Sequence, residues 1–579
     1  MQLSFGLVLA SLALANAAAV GQGPELKYQP SIIHIIADGF GPASETFARS
    51  AHQQQKGLPW TAELTIDKYL VGTLRTRSTD SLVTDSAASA TAYSAGVKSV
   101  NAYIGVDIEK KPVATVLEGA KAKGYVTGLV ATSRITHATP ASYAAHISDR
   151  DLENDIAEQM IGNNPLGRSV DLLLGGGARH FWPNSTKGSS RKDTRDLVAE
   201  AKTKFGFRTL QSRAEFDALK NGTNATLPIL GLFARSHMAY EIDRNSTVEP
   251  SLTEMAITAL NTLKKAGKPF FVMLEASRID HAAHNNDPIG HYYDILEYQR
   301  MFAAVAAWVD DYNEPSNPVP KVVMVATADH ECGGLTLALQ RSEDTTAAYL
   351  WYPHVLFNAT KSTEFLAGQF LTYYTTANKS QSDHLAYLKN QVTTQLGVTD
   401  VQDDEIQRAL DVARADSTGV ALAVWLSSIV NWRAHLGWST TGHSGVDVNV
   451  YTYAGKNLVA NKLLQSEFQG NHENTYLGQW TTKYLQLDLQ PLTTKLNNGT
   501  AHVAGSGSAN ASTPIERYHG GVKRILPALP VPTSKKRSNL VIGWSHDDND
   551  RLFGREFGHH QVRRHVEPAA FEGHTHFEL

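Results

Sequence analysis

Short apolar runs, each closing on a chemically capable side chain, punctuate the first two thirds of the chain. Ile32-Ile33-His34-Ile35-Ile36-Ala37 runs into Asp38, and Tyr125 to Ala131 leads towards His137 and Thr139. Phe270 to Leu274 ends at Glu275, and Val322 to Ala326 ends near Asp329 and His330. Runs of this length, apolar almost throughout, predict strands buried on both faces of a parallel sheet. Helical patterns lie between them, as at Val113 to Ala122 and Asp294 to Val309. Strand alternating with helix predicts an α/β fold with a sheet covered on both sides. In such sheets ligands bind beyond the carboxyl ends of strands. Four strands that deliver carboxylates or histidines to that edge are not what packing alone selects.

From Gly334 to Gly437 the strand pattern gives way to a mixed stretch containing many Thr and Tyr residues, read as an inserted subdomain at 336–436. After about Pro491 Gly, Ser, Asn, Pro and His dominate, with Lys535-Lys536-Arg537 in the middle. The segment 491–579 reads as a low-complexity solvated tail, its histidines (His546, His559, His560, His565, His574, His576) included. At the other end, Leu3 to Leu14 is apolar and Ala15-Asn16-Ala17 supplies a small-x-small site, so 1–19 is expected to be a signal peptide. The run is shorter than the roughly 20 residues of a spanning helix. Eight Asn-x-Ser/Thr sequons, at Asn184, Asn221, Asn224, Asn245, Asn358, Asn378, Asn498 and Asn510, fit a secreted glycoprotein. The C-terminus lacks the apolar tail of a GPI signal, so no stable membrane anchor is expected.

Composition narrows the class further. The 579 residues are 42% hydrophobic and 19% charged, enough for one large core with insertions, which leaves 20–490 as the globular body once leader and tail are set aside. A formal net charge of −4 gives no reason to expect nucleic acid as a partner. The single cysteine, Cys332, excludes an intrachain disulfide, and no Cys-His constellation marks it as a nucleophile, so it reads as an inert small residue.

The chemistry centres on Val83-Thr84-Asp85-Ser86-Ala87-Ala88-Ser89-Ala90-Thr91-Ala92. Such a run could be no more than a tightly packed helix. Read functionally, it puts Ser86 at a helix N-terminus, where free N–H groups and the dipole favour a phosphoryl group. A serine hydroxyl needs a base or a metal to activate it, and no Ser-His-Asp order is evident. Metal donors are plentiful. Asp280 and His284 fall one helical turn apart after the strand that ends at Glu275, which suits two ligands on one zinc. Asp329 and His330 are adjacent and converge only if the strand breaks there, as Gly333-Gly334 suggests. His443 sits in the Gly-rich Ser439 to Gly445 loop.

These residues resemble the alkaline phosphatase family. Asp85-Ser86-Ala87-Ala88-Ser89-Ala90-Thr91-Ala92 is similar to its nucleophile signature. The segments at Asp38-Gly39, His137-Ala138-Thr139-Pro140, Glu275 to His284, Thr327 to His330 and Gly442-His443 match in order and internal spacing, over about residues 30 to 490. The resemblance implies a three-layer α/β/α sandwich with a crown-like insertion, usually a homodimer, acting on small phosphate monoesters. It implies Ser86 as nucleophile, with Asp280, His284 and His443 on one zinc and Asp38, Asp329 and His330 on a second. Asp38, Thr139 and Glu275 would hold a magnesium, with Asp38 bridging. Arg150 would bind phosphate, oriented by Asp85, and His137 and His281 would stand beside the magnesium site. There bacterial members often carry Asp and Lys, and animal members His. Ala234 stands where animal members have a glutamate on a structural calcium, so no calcium site of that kind is expected.

Two other classes compete. A phosphodiesterase or sulfatase could use the same metal-binding sheet, but Asp85-Ser86-Ala87 is not a sulfatase motif, and Thr139, Glu275 and Arg150 favour the monoesterase. A metal- or phosphate-binding protein without activity would lack a ligand or the nucleophile, and none is missing.

Overall fold

The computed structural model describes residues 29–499, apart from 315–319, 341, 343 and 377–378. Residues 1–19 and the tail beyond Gly499, with its histidines and the sequon at Asn510, lie outside the described residues, as does Asn378. Ten strands form one sheet: β1 (Ser31–Ala37), β2 (Leu70–Arg75), β3 (Val126–Arg134), β4 (Leu172–Gly176), β5 (Arg208–Leu210), β6 (Ile229–Leu232), β7 (Phe270–Ala276), β8 (Val322–Thr327), and, after four two-residue strands, β13 (Val448–Tyr453) and β14 (Gly470–Glu473). The short ones are β9 (Glu331–Cys332), β10 (Leu335–Thr336), β11 (Gly437–Trp438) and β12 (His443–Ser444).

The sheet order is β14-β2-β13-β8-β1-β7-β3-β4-β6-β5. Neighbours run parallel except β13, which is antiparallel to both β2 and β8. Every residue of β1, β7 and β8 is buried. Successive strand residues face opposite sides, so both faces are covered by helices, giving the α/β/α layering. His34 inside β1 is accommodated as a neutral ring: burial pushes its imidazole down to about 3. Its nitrogens reach Tyr143 Oη (3.2 Å) and Thr481 Oγ1 (3.0 Å).

Parallel order places the ends of β1, β3, β7 and β8 at one edge, and with them Asp38, Thr139, Glu275, Asp329 and His330. Because β13 runs the other way, its start lies at that edge, and His443 on β12 just before it arrives there too. The insertion leaves and returns through a narrow neck, where β10 and β11 pair antiparallel, Leu335 opposite Trp438. Beyond the neck stand four helices, Thr363–Thr376, Gln381–Gln395, Asp403–Ala415 and Val420–Ala434.

Helix boundaries follow their caps more closely than the apolar periodicity. The helix expected from Val113 begins at Val116, because Thr115 caps Glu118 N–H and Glu118 caps Thr115 in return. The one expected from Asp294 begins at Pro288, started by the Asp287 carboxylate and the proline in its first turn. Regular structure also runs past 490, since Gln490–Asn498 is helical.

Candidate active site

Asp85 is the N-cap of the helix Ser86–Ala95, its Oδ1 accepting from Ala88 N–H at 2.8 Å. Ser86 therefore occupies the first helical position, beside N–H groups that have no partner within the helix. The small residues behind it also serve packing: a Cβ on Gly478 of the neighbouring helix Thr475–Tyr484 would lie 2.9 Å from Ala92 O. The run is thus a tightly packed helix that also carries Ser86 in its first turn.

Ser86 Oγ lies 3.1 Å from His330 Nε2. That nitrogen is 3.0 Å from Asp329 Oδ2 and 3.6 Å from Asp38 Oδ1. The chain breaks out of β8 after Thr327, which lets the adjacent Asp329 and His330 converge. Across the site, His284 Nε2 is 3.1 Å from Asp280 Oδ2 and 3.2 Å from His443 Nε2, and His443 Nε2 is 3.5 Å from Asp280 Oδ1. Asp280 and His284 share one face of the helix Arg278–His284. The outer nitrogens are committed: His284 Nδ1–H donates to Thr441 O (2.6 Å) and His443 Nδ1–H to Thr84 O (2.8 Å). In neutral rings this leaves both Nε2 lone pairs facing inwards, the arrangement metal-ligating histidines adopt.

Donor atoms of Asp38, Asp280 and His330 also fall within 4.8 Å of one another, so Asp280 stands between the two groups. Glu275 on β7 completes an acidic floor with Asp38 and Thr139 beside it. Asp38 Oδ1 and Oδ2, Thr139 Oγ1, Glu275 Oε1, Asp280 Oδ1 and Asp329 Oδ2 are buried and lack hydrogen-bond partners. Burial, reinforced by Asp329, Asp280 and Glu275, pushes the Asp38 carboxyl well above the usual range, and burial pushes that of Glu275 up to about 7. Four buried carboxylates with bare oxygens repel one another unless cations join them. Carboxylate oxygens and imidazole nitrogens together suit zinc, and an all-oxygen set of Asp38, Thr139 and Glu275 suits a hard ion such as magnesium.

Arg150 reaches the same place. Its Nη1 donates to Asp85 Oδ2 (3.3 Å) and its Nη2 to His137 Nε2 (3.1 Å). Asp85 is itself fixed, since Oδ2 also accepts from Ala102 N–H at 2.7 Å.

His237 was not foreseen from the sequence. Its ring packs 4.1 Å from that of His281 and 5.2 Å from that of His137, centroid to centroid. Nothing near Arg235-Ser236-His237 resembles a motif, and only the fold brings it here. The three donor nitrogens are close enough for an ion. Each ring, however, is turned to an arginine: His137 to Arg150, His281 Nδ1 to Arg278 (2.9 Å), His237 to Arg134. Burial, and after it these arginines, pushes all three imidazoles well below their ordinary value. As neutral rings they can accept hydrogen bonds from these arginines. Cys332, set aside from sequence alone, lies among the Asp280, His284 and His443 donors.

Residues 30–487 match the family model described as alkaline phosphatase. The chain is 40% identical over 527 residues to the repressible alkaline phosphatase of Saccharomyces cerevisiae, covering 88% of this chain and 90% of that one. It is 42% identical over 481 residues to the alkaline phosphatase of Schizosaccharomyces pombe, covering 82% and 84%. Among solved structures, it is similar to a cold-active alkaline phosphatase from Shewanella sp., with TM-score 0.63, 28% identity and coverage of 79% and 99%. It is likewise similar to the Thermus thermophilus alkaline phosphatase, with TM-score 0.64, 27% identity and coverage of 80% and 93%.

Proposed function

Since the chain belongs to the alkaline phosphatase family, we propose that it hydrolyses phosphate monoesters through a phosphoserine at Ser86, with two zinc ions and one magnesium ion. Family membership carries monoester hydrolysis and metal dependence; the serine route and the ion set go further. The observation behind them is Ser86 Oγ, 3.1 Å from His330 Nε2, at a helix N-terminus above buried carboxylates with bare oxygens.

Asp280, His284 and His443 would hold one zinc, Asp38, Asp329 and His330 the other, and Asp38, Thr139 and Glu275 the magnesium. Bound divalent ions supply Lewis acidity, lowering the pKa of a ligated hydroxyl or water and neutralising phosphoryl charge. Ser86 Oγ attacks phosphorus as its proton passes to solvent, and the bond to the alcohol oxygen breaks on the opposite side, that oxygen taking a proton from water. Arg150, aimed by Asp85, holds two non-bridging oxygens through its fork. Water then attacks the phosphoserine from the side the alcohol vacated, releasing phosphate and restoring Ser86. His137 and His281 take no part in bond making; they hold Arg150 and Arg278 in place.

Hydrolysis of p-nitrophenyl phosphate against its bis-ester, with and without EDTA, tests the reading. EDTA-sensitive monoester hydrolysis that far exceeds diester hydrolysis is expected. Diester preference would make the protein a phosphodiesterase, and EDTA-resistant or absent turnover would refute the assignment.

Export is part of the same proposal. The sequon residues Asn184, Asn221, Asn224, Asn245, Asn358 and Asn498 are all exposed, which supports a secreted, N-glycosylated enzyme with 1–19 removed. Among the described residues no helix is long and apolar enough to cross a membrane. A mass shift on glycosidase treatment of the exported protein checks this, and sedimentation checks the homodimer that the family resemblance implies.

A further inference from the structure

Cys332 is the only cysteine in the chain and is fully buried. On β9 it stands directly opposite His443 of β12 in an antiparallel register. Side chains so paired project to the same face, with Cβ atoms about 4.5–5.5 Å apart. The register that aims His443 at Asp280 therefore brings the sulfur to the same centre. Donor atoms of Asp280, His284, Cys332 and His443 all lie within 4.8 Å of one another. Asp280 Oδ1, buried beside them, has no hydrogen-bond partner. The thiol also reaches Gly442 O, at a long 3.7 Å.

His284 Nε2 lies 3.1 Å from Asp280 Oδ2 and 3.2 Å from His443 Nε2, near the edge of about 3.3 Å that a tetrahedron has at zinc–nitrogen distances, and His443 Nε2 lies 3.5 Å from the other Asp280 oxygen, Oδ1. With one oxygen taken from Asp280, the three residues supply three of four tetrahedral donors and leave a fourth vertex. A catalytic zinc keeps that vertex open for water or substrate, whereas a fourth protein donor makes a closed, structural type of site. Thiolate sulfur favours soft ions, so the choice between open and closed depends on which ion is bound.

We infer that Cys332 is a conditional fourth ligand, which joins Asp280, His284 and His443 around a soft divalent ion such as cadmium and closes the vertex that substrate needs. The thiol proton passes to solvent as the sulfur–metal bond forms, and nothing is oxidised or reduced. This rests on the reading that Asp280, His284 and His443 hold a cation. It adds a built-in sensitivity to soft metals that those three residues would not confer.

The full-length enzyme, its metal exchanged for Cd2+, is examined for thiolate-to-cadmium charge-transfer absorption in the ultraviolet. With no other cysteine present, any such band reports on Cys332. One band equivalent per chain is expected, absent from Cys332→Ser. Cadmium affinity, from competition with a chromophoric chelator, should fall by at least about tenfold in that variant, the scale on which donor shells tune metal sites. Cadmium bound through His443, as shown by weaker binding in His443→Ala, but without the band would overturn the inference, as would equal affinity in Cys332→Ser. Failure of the phosphatase reading would show separately, as zinc-loaded enzyme inert towards p-nitrophenyl phosphate, whatever the cadmium spectrum.

Discussion

Arg150→Ala separates recognition of the phosphoryl group from every other task of the site. Its guanidinium is one-tenth exposed and tied at two points, to Asp85 Oδ2 at 3.3 Å and to His137 Nε2 at 3.1 Å. Asp85 cannot swing to follow a substrate, because Ala88 N–H and Ala102 N–H both hold it. The fork is thus fixed beside Ser86 before substrate arrives, and little ordering remains to be done on binding. A monoester offers it two free oxygens, whereas a diester has one of them esterified. Charge-assisted bonds contribute about 1.5–3 kcal/mol each, and water replaces part of what is lost. A net loss near one such bond lowers kcat/KM for p-nitrophenyl phosphate by roughly tenfold to a hundredfold, at 1.4 kcal/mol per decade. Inhibition by inorganic phosphate should weaken in parallel, and hydrolysis of the bis-ester should hardly change. Arg150→Lys keeps the charge without the fork and should fall between. Equal losses on monoester and diester would refute the reasoning and make Arg150 a support for fold or metals.

His443→Ala should lower metal content and activity together, and excess zinc should partly restore both; full activity after exhaustive dialysis would remove His443 from the donors. Gly39 has φ +73°, and a Cβ there would lie 2.7 Å from Asp280 Cα. Gly39→Ala should therefore cost at least about 1–2 kcal/mol in denaturant unfolding and loosen metal retention. In metal-free protein, burial holds the Glu275 carboxyl up at about 7, above its unfolded range. Its contribution to stability is then present at low pH and lost as pH rises from about 4.3 through 7. The melting temperature of metal-free protein should fall across that window, and the gain on adding magnesium should grow with pH; a gain independent of pH would contradict this.

The strand ends were legible because β1, β7 and β8 are buried on both faces, so their apolar runs stop where the sheet stops, at Asp38, Glu275 and Asp329. Asp280 and His284 were legible from helical spacing alone. Arg150, far from Ser86 in sequence and tied to its neighbour Asp85, needed the family resemblance. The direction of β13 was not legible, since alternation along a strand carries no sign, and it is this reversal that brings His443 to the edge. His237 and Cys332 escaped for a related reason. Their meaning lies in partners contributed by distant segments, Arg134 and His281 for one, His443 across a two-residue ladder for the other.

The central claim, covalent catalysis by Ser86, is tested most directly by incubating the enzyme with radiolabelled inorganic phosphate at acid pH, quenching, and mapping the label by peptide mass spectrometry. Label on Ser86, absent from metal-free enzyme and from Ser86→Ala, is the predicted result. Label retained by Ser86→Ala, or mapped to any other residue, would contradict it.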